Sequence, residues 1–261
     1  MACVNMLLDK CHCASRYGRN AILYNILSQQ AVVKPHSQFS HHSCTCQIKR
    51  TVCLKTPHIT CPTVIEVLVK TVSFMQNLPS FHHLPKEDQL LLLGSCWAPL
   101  FLLGLAQEGV NFEVVEIPVQ SLLKRLLLNG KELPGVVGAE STQPSIADVQ
   151  RIKLCLNKFW DLDLTPKEFA YLKGAVLFSA DLPGLQATLY VQSLQREAQR
   201  VLHEVLVPLQ PKDTSRLAPI LLTVSALRTI SAGVVTELFF RPVIGSTEIN
   251  QLLIQMFYTK Q

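Results

Sequence analysis

Residues 74–93, FMQNLPSFHHLPKEDQLLLL, decide how this chain is read. Pro79 and Pro85 divide the stretch, because proline cannot continue a helix but suits its first turn. Glu87 and Asp88 fall in the first turn after Pro85, where the helix dipole favours anions. Upstream, Val64, Val67, Leu68, Thr71, Val72 and Met75 recur at three and four, one apolar stripe of a helix opening near Pro62. Downstream, the run from Gln89 to Gln107 carries no charge at all. It approaches the roughly 20 residues needed to cross a bilayer. Gly94, Pro99 and Gly104 interrupt it, so a buried helix pair is expected there.

Composition agrees with a globular, helical chain. Of 261 residues, 48% are hydrophobic and 16% charged, enough apolar material for a sizeable core. The net charge of +5 is uneven: residues 1–60 hold seven basic side chains against Asp9, a balance of +6, which leaves −1 for the remainder. Scattered charges of this kind read as a solvated arm. No secretory signal is visible in MACVNMLLDK. Seven of the nine cysteines lie in residues 1–61 and are expected to be free thiols of a reducing compartment. Cys11-His12-Cys13 and Cys44-Thr45-Cys46 lack the turn that aims two sulfurs at one zinc ion, so no metal site is assigned. No CxxC pair occurs anywhere.

The expected organisation is an arm over 1–60 and a folded domain over 61–261. The arm contains one short helical island, Ala21–Gln29. In the domain, Val110–Pro118 is strand-like and a short helix follows at Val119–Leu128. Residues 129–145 form a polar Gly/Pro loop. Helices are then expected over Ser145–Trp160, from a Thr165-Pro166-Lys167-Glu168 capping box, over Leu185–Leu206 up to Pro208, over Ser215–Phe240 with Pro219 and Gly233 as kink positions, and over Glu248–Tyr258. The fold class is all-α, with about nine to eleven helices and one small β-hairpin. No GxSxG or GxGxxG is present, and His203-Glu204 lacks the second histidine of HExxH. An enzyme is not indicated, and no cofactor is assigned.

The spacing of Phe74, Phe81, Leu84, Asp88, Gln89, Leu92 and Leu93 resembles the signature of nuclear-receptor ligand-binding domains. Three further segments resemble that family in the same order: TPKEFAYLKGAVLFSADLPGL (165–185), RLAPILLTVSALRTISAGVVTELFFRPVIG (216–245) and the final Leu252–Phe257. The resemblance implies the helical sandwich fold. Without four-cysteine zinc modules, it implies a receptor that makes no specific contact with DNA. Such a receptor acts as a transcriptional co-repressor on other nuclear receptors, as their heterodimer partner, with co-repressor and chromatin-modifying proteins as further partners. It implies a nuclear protein, present also in cytoplasm, that regulates bile-acid and lipid metabolism. The alternative is a ligand sensor whose last helix switches on binding a small lipid-like molecule.

A Leu-x-x-Leu-Leu helix sets three branched side chains on one face, and receptors accept such a helix in an apolar groove. Two segments fit: Leu23, Ile26 and Leu27 in the arm, and Leu123, Leu126 and Leu127 after the strand. In the family both kinds of motif contact partner receptors; each could instead pack against this domain. The chain's own groove departs from the family pattern. Gln76 stands where a lysine grips an incoming helix's last carbonyls. Gln255 stands where a glutamate meets its first amides. Gly94 stands where a lysine is common. Losing both charges is expected to weaken capture of coactivators.

Overall fold

In a computed structural model, the described residues are 50–118, 143–209 and 216–259. Within them, strand β1 (Arg50–Leu54) is followed by helices α1 (Pro57–Gln76), α2 (Pro79–His82) and α3 (Lys86–Gln107), then strand β2 (Val114–Pro118). Helices α4 (Ile146–Asp161), α5 (Pro166–Leu177), α6 (Thr188–Leu209), α7 (Leu217–Arg228), α8 (Ala232–Ile244) and α9 (Ile249–Tyr258) complete the order. The compact unit opens at Arg50, earlier than the boundary drawn at residue 61. The reason is β1, which pairs antiparallel with β2 from Arg50↔Pro118 to Leu54↔Val114. The small β element is thus a pairing across three helices rather than a local hairpin. Strand pairing also starts later than expected: Val110 and Phe112 are buried in the connection before β2.

Helix α3 is the centre of the domain and packs against α1, α4, α5, α7, α8 and α9. This explains a helix that is apolar nearly all round. Sequence reading had expected two helices here; a single 22-residue helix passes through Gly94, Pro99 and Gly104. Its central run Cys96–Ala106, Pro99 apart, is buried, so burial in protein accounts for its apolar character. Gly104 lets α1 pass close by: a Cβ there would lie 2.7 Å from Val67 Cγ1. Helix α1 also starts earlier than expected. Pro57 takes its first turn, and Pro62 sits inside the helix at the cost of one backbone bond.

The expected capping box forms at Thr165, and a second one forms at Ser145. Ser145 Oγ accepts from Asp148 N–H at 3.2 Å, and Asp148 Oδ2 accepts from Ser145 N–H at 3.0 Å. Thr165 Oγ1 accepts from Glu168 N–H at 3.3 Å, and Glu168 Oε2 accepts from Thr165 N–H at 2.6 Å. Glu168 is fully buried, and Arg216 Nη1 lies 3.6 Å from its other oxygen. Helix α6 runs on through Pro208. The long helix expected over Ser215–Phe240 is instead two, α7 and α8, bent by 79°. The chain turns at Thr229–Ser231, and Ser231 Oγ accepts from Gly233 N–H to start α8. Through Thr236–Phe240 that helix widens into a π-helix, which places the adjacent Phe239 and Phe240 both inside. Phe101 meets them at 5.7 and 5.0 Å, Phe112 meets Phe239 at 4.9 Å, and Trp97 meets Phe240 at 5.9 Å. Cys96 is a core residue too: its Sγ donates to Leu177 O at 3.4 Å, and burial pushes its pKa up to about 11.

Candidate partner-binding groove

The signature residues divide into those that build the core and those that tie segments together. Phe81, Leu84, Leu92 and Leu93 are buried, while Phe74 is half-buried under Lys173 Nζ at 5.8 Å. Asp88 is fully buried, and its two oxygens accept from Gln186 N–H at 2.9 Å and Ala187 N–H at 2.8 Å. Those amides stand just before α6, where helix amides lack intrahelical acceptors. A carboxylate suits them by charge and by the helix dipole. Gln89 Nε2 donates to Leu84 O at 2.8 Å and fixes the turn between α2 and α3. The aspartate and glutamine of the signature therefore hold the start of α3 in place. The end of α1, α2 and the start of α3 together flank one cleft.

Helix α9 lies against α1 and α3. Its residues Ile249, Leu253 and Phe257 recur every four residues and are buried; Leu252 and Met256 are half-buried beside them. Phe257 meets Phe81 edge-on at 5.6 Å, and the His82 ring stacks on it at 6.3 Å. Gln76 Nε2 donates to Phe257 O at 2.8 Å and to Met256 O at 3.1 Å. His82 Nε2 in turn lies 2.5 Å from Gln76 O. Helix ends leave their last carbonyls without intrahelical donors, so the Gln76 amide caps the final turn of α9. Around this end is a cleft of about 700 Å³ lined by Ser73, Gln76, Asn77, His82, Lys86, Gln89, Phe257 and Tyr258.

The link into α9 is also held. Gly245 has φ +58° and ψ −123°, a conformation side chains rarely adopt. Arg241 Nη1 donates to the carbonyls of Gly245 and Thr247, while Arg241 Nη2 donates to Glu237 Oε1 at 2.6 Å. The carboxylate's hydrogen bond raises the Arg241 pKa. One arginine thus sets both the turn after α8 and the direction of α9.

The candidate residues from the sequence are placed unevenly. Gln76 is at the end of α1, against the chain's own last helix. Gln255 is exposed on α9. An added Cβ at Gly94 would meet nothing, so that position faces open space. Leu23, Ile26, Leu27, Leu123, Leu126 and Leu127 lie outside the described residues, as do Cys11-His12-Cys13, Cys44-Thr45-Cys46 and the 129–142 part of the long loop. Sequence reasoning missed that the groove is filled by α9. The available signal was Ile249-Asn250-Gln251-Leu252-Leu253, which has the same i, i+3, i+4 spacing as the two motifs singled out.

The helical fold around a central apolar helix, the buried Asp-Gln signature and a groove sized for one helix define a receptor ligand-binding domain. The family model for the ligand-binding domain of nuclear hormone receptor matches residues 55–244, and the chain belongs to that family of non-enzymatic transcription regulators. Within it, the chain is 49% identical to nuclear receptor subfamily 0 group B member 2 of Rattus norvegicus over 249 residues, 94% of this chain and 95% of that protein. Identity to the same-named protein of Homo sapiens is 49% over 247 residues, 93% of this chain and 94% of that protein. Nuclear receptor subfamily 0 group B member 1 of Sus scrofa is 39% identical over 273 residues, 96% of this chain and 57% of that longer protein.

Proposed function

We propose that the protein is a transcriptional co-repressor that inserts leucine-faced helices into the coactivator grooves of other nuclear receptors, blocks coactivators there and recruits repressive factors. It does so from the nucleus, with no specific grip on DNA of its own. Leu23, Ile26 and Leu27 form one inserting face; Leu123, Leu126 and Leu127 form the other. One observation carries the reading: α9 already occupies the groove beside α1 and α3, and its end is capped by Gln76. A receptor whose groove is filled by its own chain is a poor acceptor of coactivator helices. The cap is also a neutral amide where the family pattern has a lysine, and a charge-assisted bond is roughly twice as strong. Both features favour a protein that supplies helices over one that collects them.

The test is titration of the full chain against a partner receptor's ligand-binding domain. Replacing Leu23, Ile26, Leu27, Leu123, Leu126 and Leu127 with alanine is expected to weaken binding at least about tenfold, since each buried leucine contributes on the order of 1.5–3 kcal/mol. Equal affinity of parent and variant would overturn the proposal.

A further inference from the structure

We infer that α9 is itself a third receptor-docking helix: Ile249, Leu252 and Leu253 fit the groove of another nuclear receptor, and the seat in the chain's own groove is its competing resting position. The geometry already exhibits the docking mode. Ile249 and Leu253 are buried, Leu252 is half-buried, and the residues between, Asn250 and Gln251, are exposed. This is how a Leu-x-x-Leu-Leu helix divides its faces when it lies in a groove. The last carbonyls of the helix are gripped by a side chain from the end of α1. A helix that satisfies one receptor groove carries the features that others of this family recognise.

What differs between the two seats is the cap and the tether. In its own groove α9 is held at the high effective concentration of a short linker, with a neutral amide at its end. In a receptor bearing lysine at the place of Gln76, the same carbonyls meet an ammonium group, a stronger donor. Transfer requires Ile249, Leu253 and Phe257 to leave their buried seat and the link 245–248 to swing. Its glycine and the arginine hydrogen bonds from Arg241 are the contacts that hold it. Weakening the Gln76 cap therefore drives α9 outward, and strengthening it holds α9 home. The inference rests on the groove-insertion mode proposed above but on neither of its two motifs.

The test uses the full chain with those six motif residues replaced by alanine. It measures displacement of a fluorescent Leu-x-x-Leu-Leu peptide from the ligand-binding domain of a receptor with that lysine. The six-alanine chain is expected to displace the peptide. Adding Gln76→Ala should lower the half-displacement concentration about fivefold or more, the equivalent of losing two neutral hydrogen bonds in the resting seat. Gln76→Lys should raise it, and Leu252→Ala should remove the gain of Gln76→Ala. Failure of the six-alanine Gln76→Ala chain to displace the peptide overturns the inference, as does displacement indifferent to Leu252→Ala and to both Gln76 variants. A native thermal transition for each variant confirms that loss of displacement is not loss of fold. The two-motif proposal is read separately, from the parent chain against the six-alanine chain.

Discussion

Asp88 tests whether the signature works as described. Its carboxylate is fully buried and accepts two backbone N–H groups, from Gln186 at 2.9 Å and Ala187 at 2.8 Å. Asp88→Ala removes both acceptors and leaves two donors unmet near the head of α6. Hydrogen bonds to a charged group contribute about 1.5–3 kcal/mol each, so the loss is about 3–6 kcal/mol, against a typical total near 5–15 kcal/mol. For a domain of this size each kcal/mol moves Tm by about 2–4 °C. Asp88→Ala should therefore lower Tm by about 6–24 °C. Asp88→Asn keeps one carbonyl oxygen for one amide and should fall about midway, near half the loss. Differential scanning calorimetry at constant pH and salt gives the comparison. Tm values for Asp88→Ala within about 2 °C of the parent, or an Asn variant worse than the Ala variant, would refute the reasoning.

Two further outcomes follow from packing and capping. Gly104→Ala should cost about 1–3 kcal/mol in urea unfolding by forcing the stiff Val67 side chain aside. In a Val67→Ala background most of that cost should disappear; strictly additive costs would count against the close approach of α1 and α3. Asp148 is partly desolvated, which pushes its pKa up, but the Ser145 hydrogen bonds and Arg151 outweigh this and hold it below the ordinary carboxylate value. Its contribution is therefore present above about pH 3.9, the unfolded value, and is lost as pH falls through the lowered folded value. Asp148→Asn should cost about 0.3–1 kcal/mol at pH 7, and the gap from the parent should narrow as acid is added. A gap of the same size at pH 3 and pH 7 would contradict the assignment.

Local rules were sufficient wherever a few neighbouring residues settle the outcome. Thr165-Pro166-Lys167-Glu168 marks a helix start because the capping partners are three residues apart. The Asp88-Gln89 signature with its flanking phenylalanines was enough to indicate the family, since its residues and spacing are read directly. The small β element was half legible. Val110–Pro118 had the strand pattern, of which Val114–Pro118 pairs, but Arg50–Leu54 showed no partner until the chain brought it alongside. The single helix through Gly94, Pro99 and Gly104 was misread as two because helix breakers weigh heavily in isolation. Burial on all sides by surrounding helices outweighs their cost. Over Ser215–Phe240, Pro219 and Gly233 marked candidate kinks in one helix; the chain bends by 79° between α7 and α8, just before Gly233.

The sequence by itself determined the helical class, the family, the capped start at Thr165 and which residues are apolar enough to be core. These depend on composition and short-range spacing, which a linear text preserves. Only the tertiary structure decided where Gln76 spends its hydrogen bonds and which leucine-faced helix fills the groove. Gln76 is far along the chain from Met256 and Phe257, yet it donates to both of their carbonyls. Leucines three and four apart look alike whether they line a core, a partner's groove or the chain's own. The choice among those seats is a competition between surfaces, and it is settled by which surface the fold carries within reach.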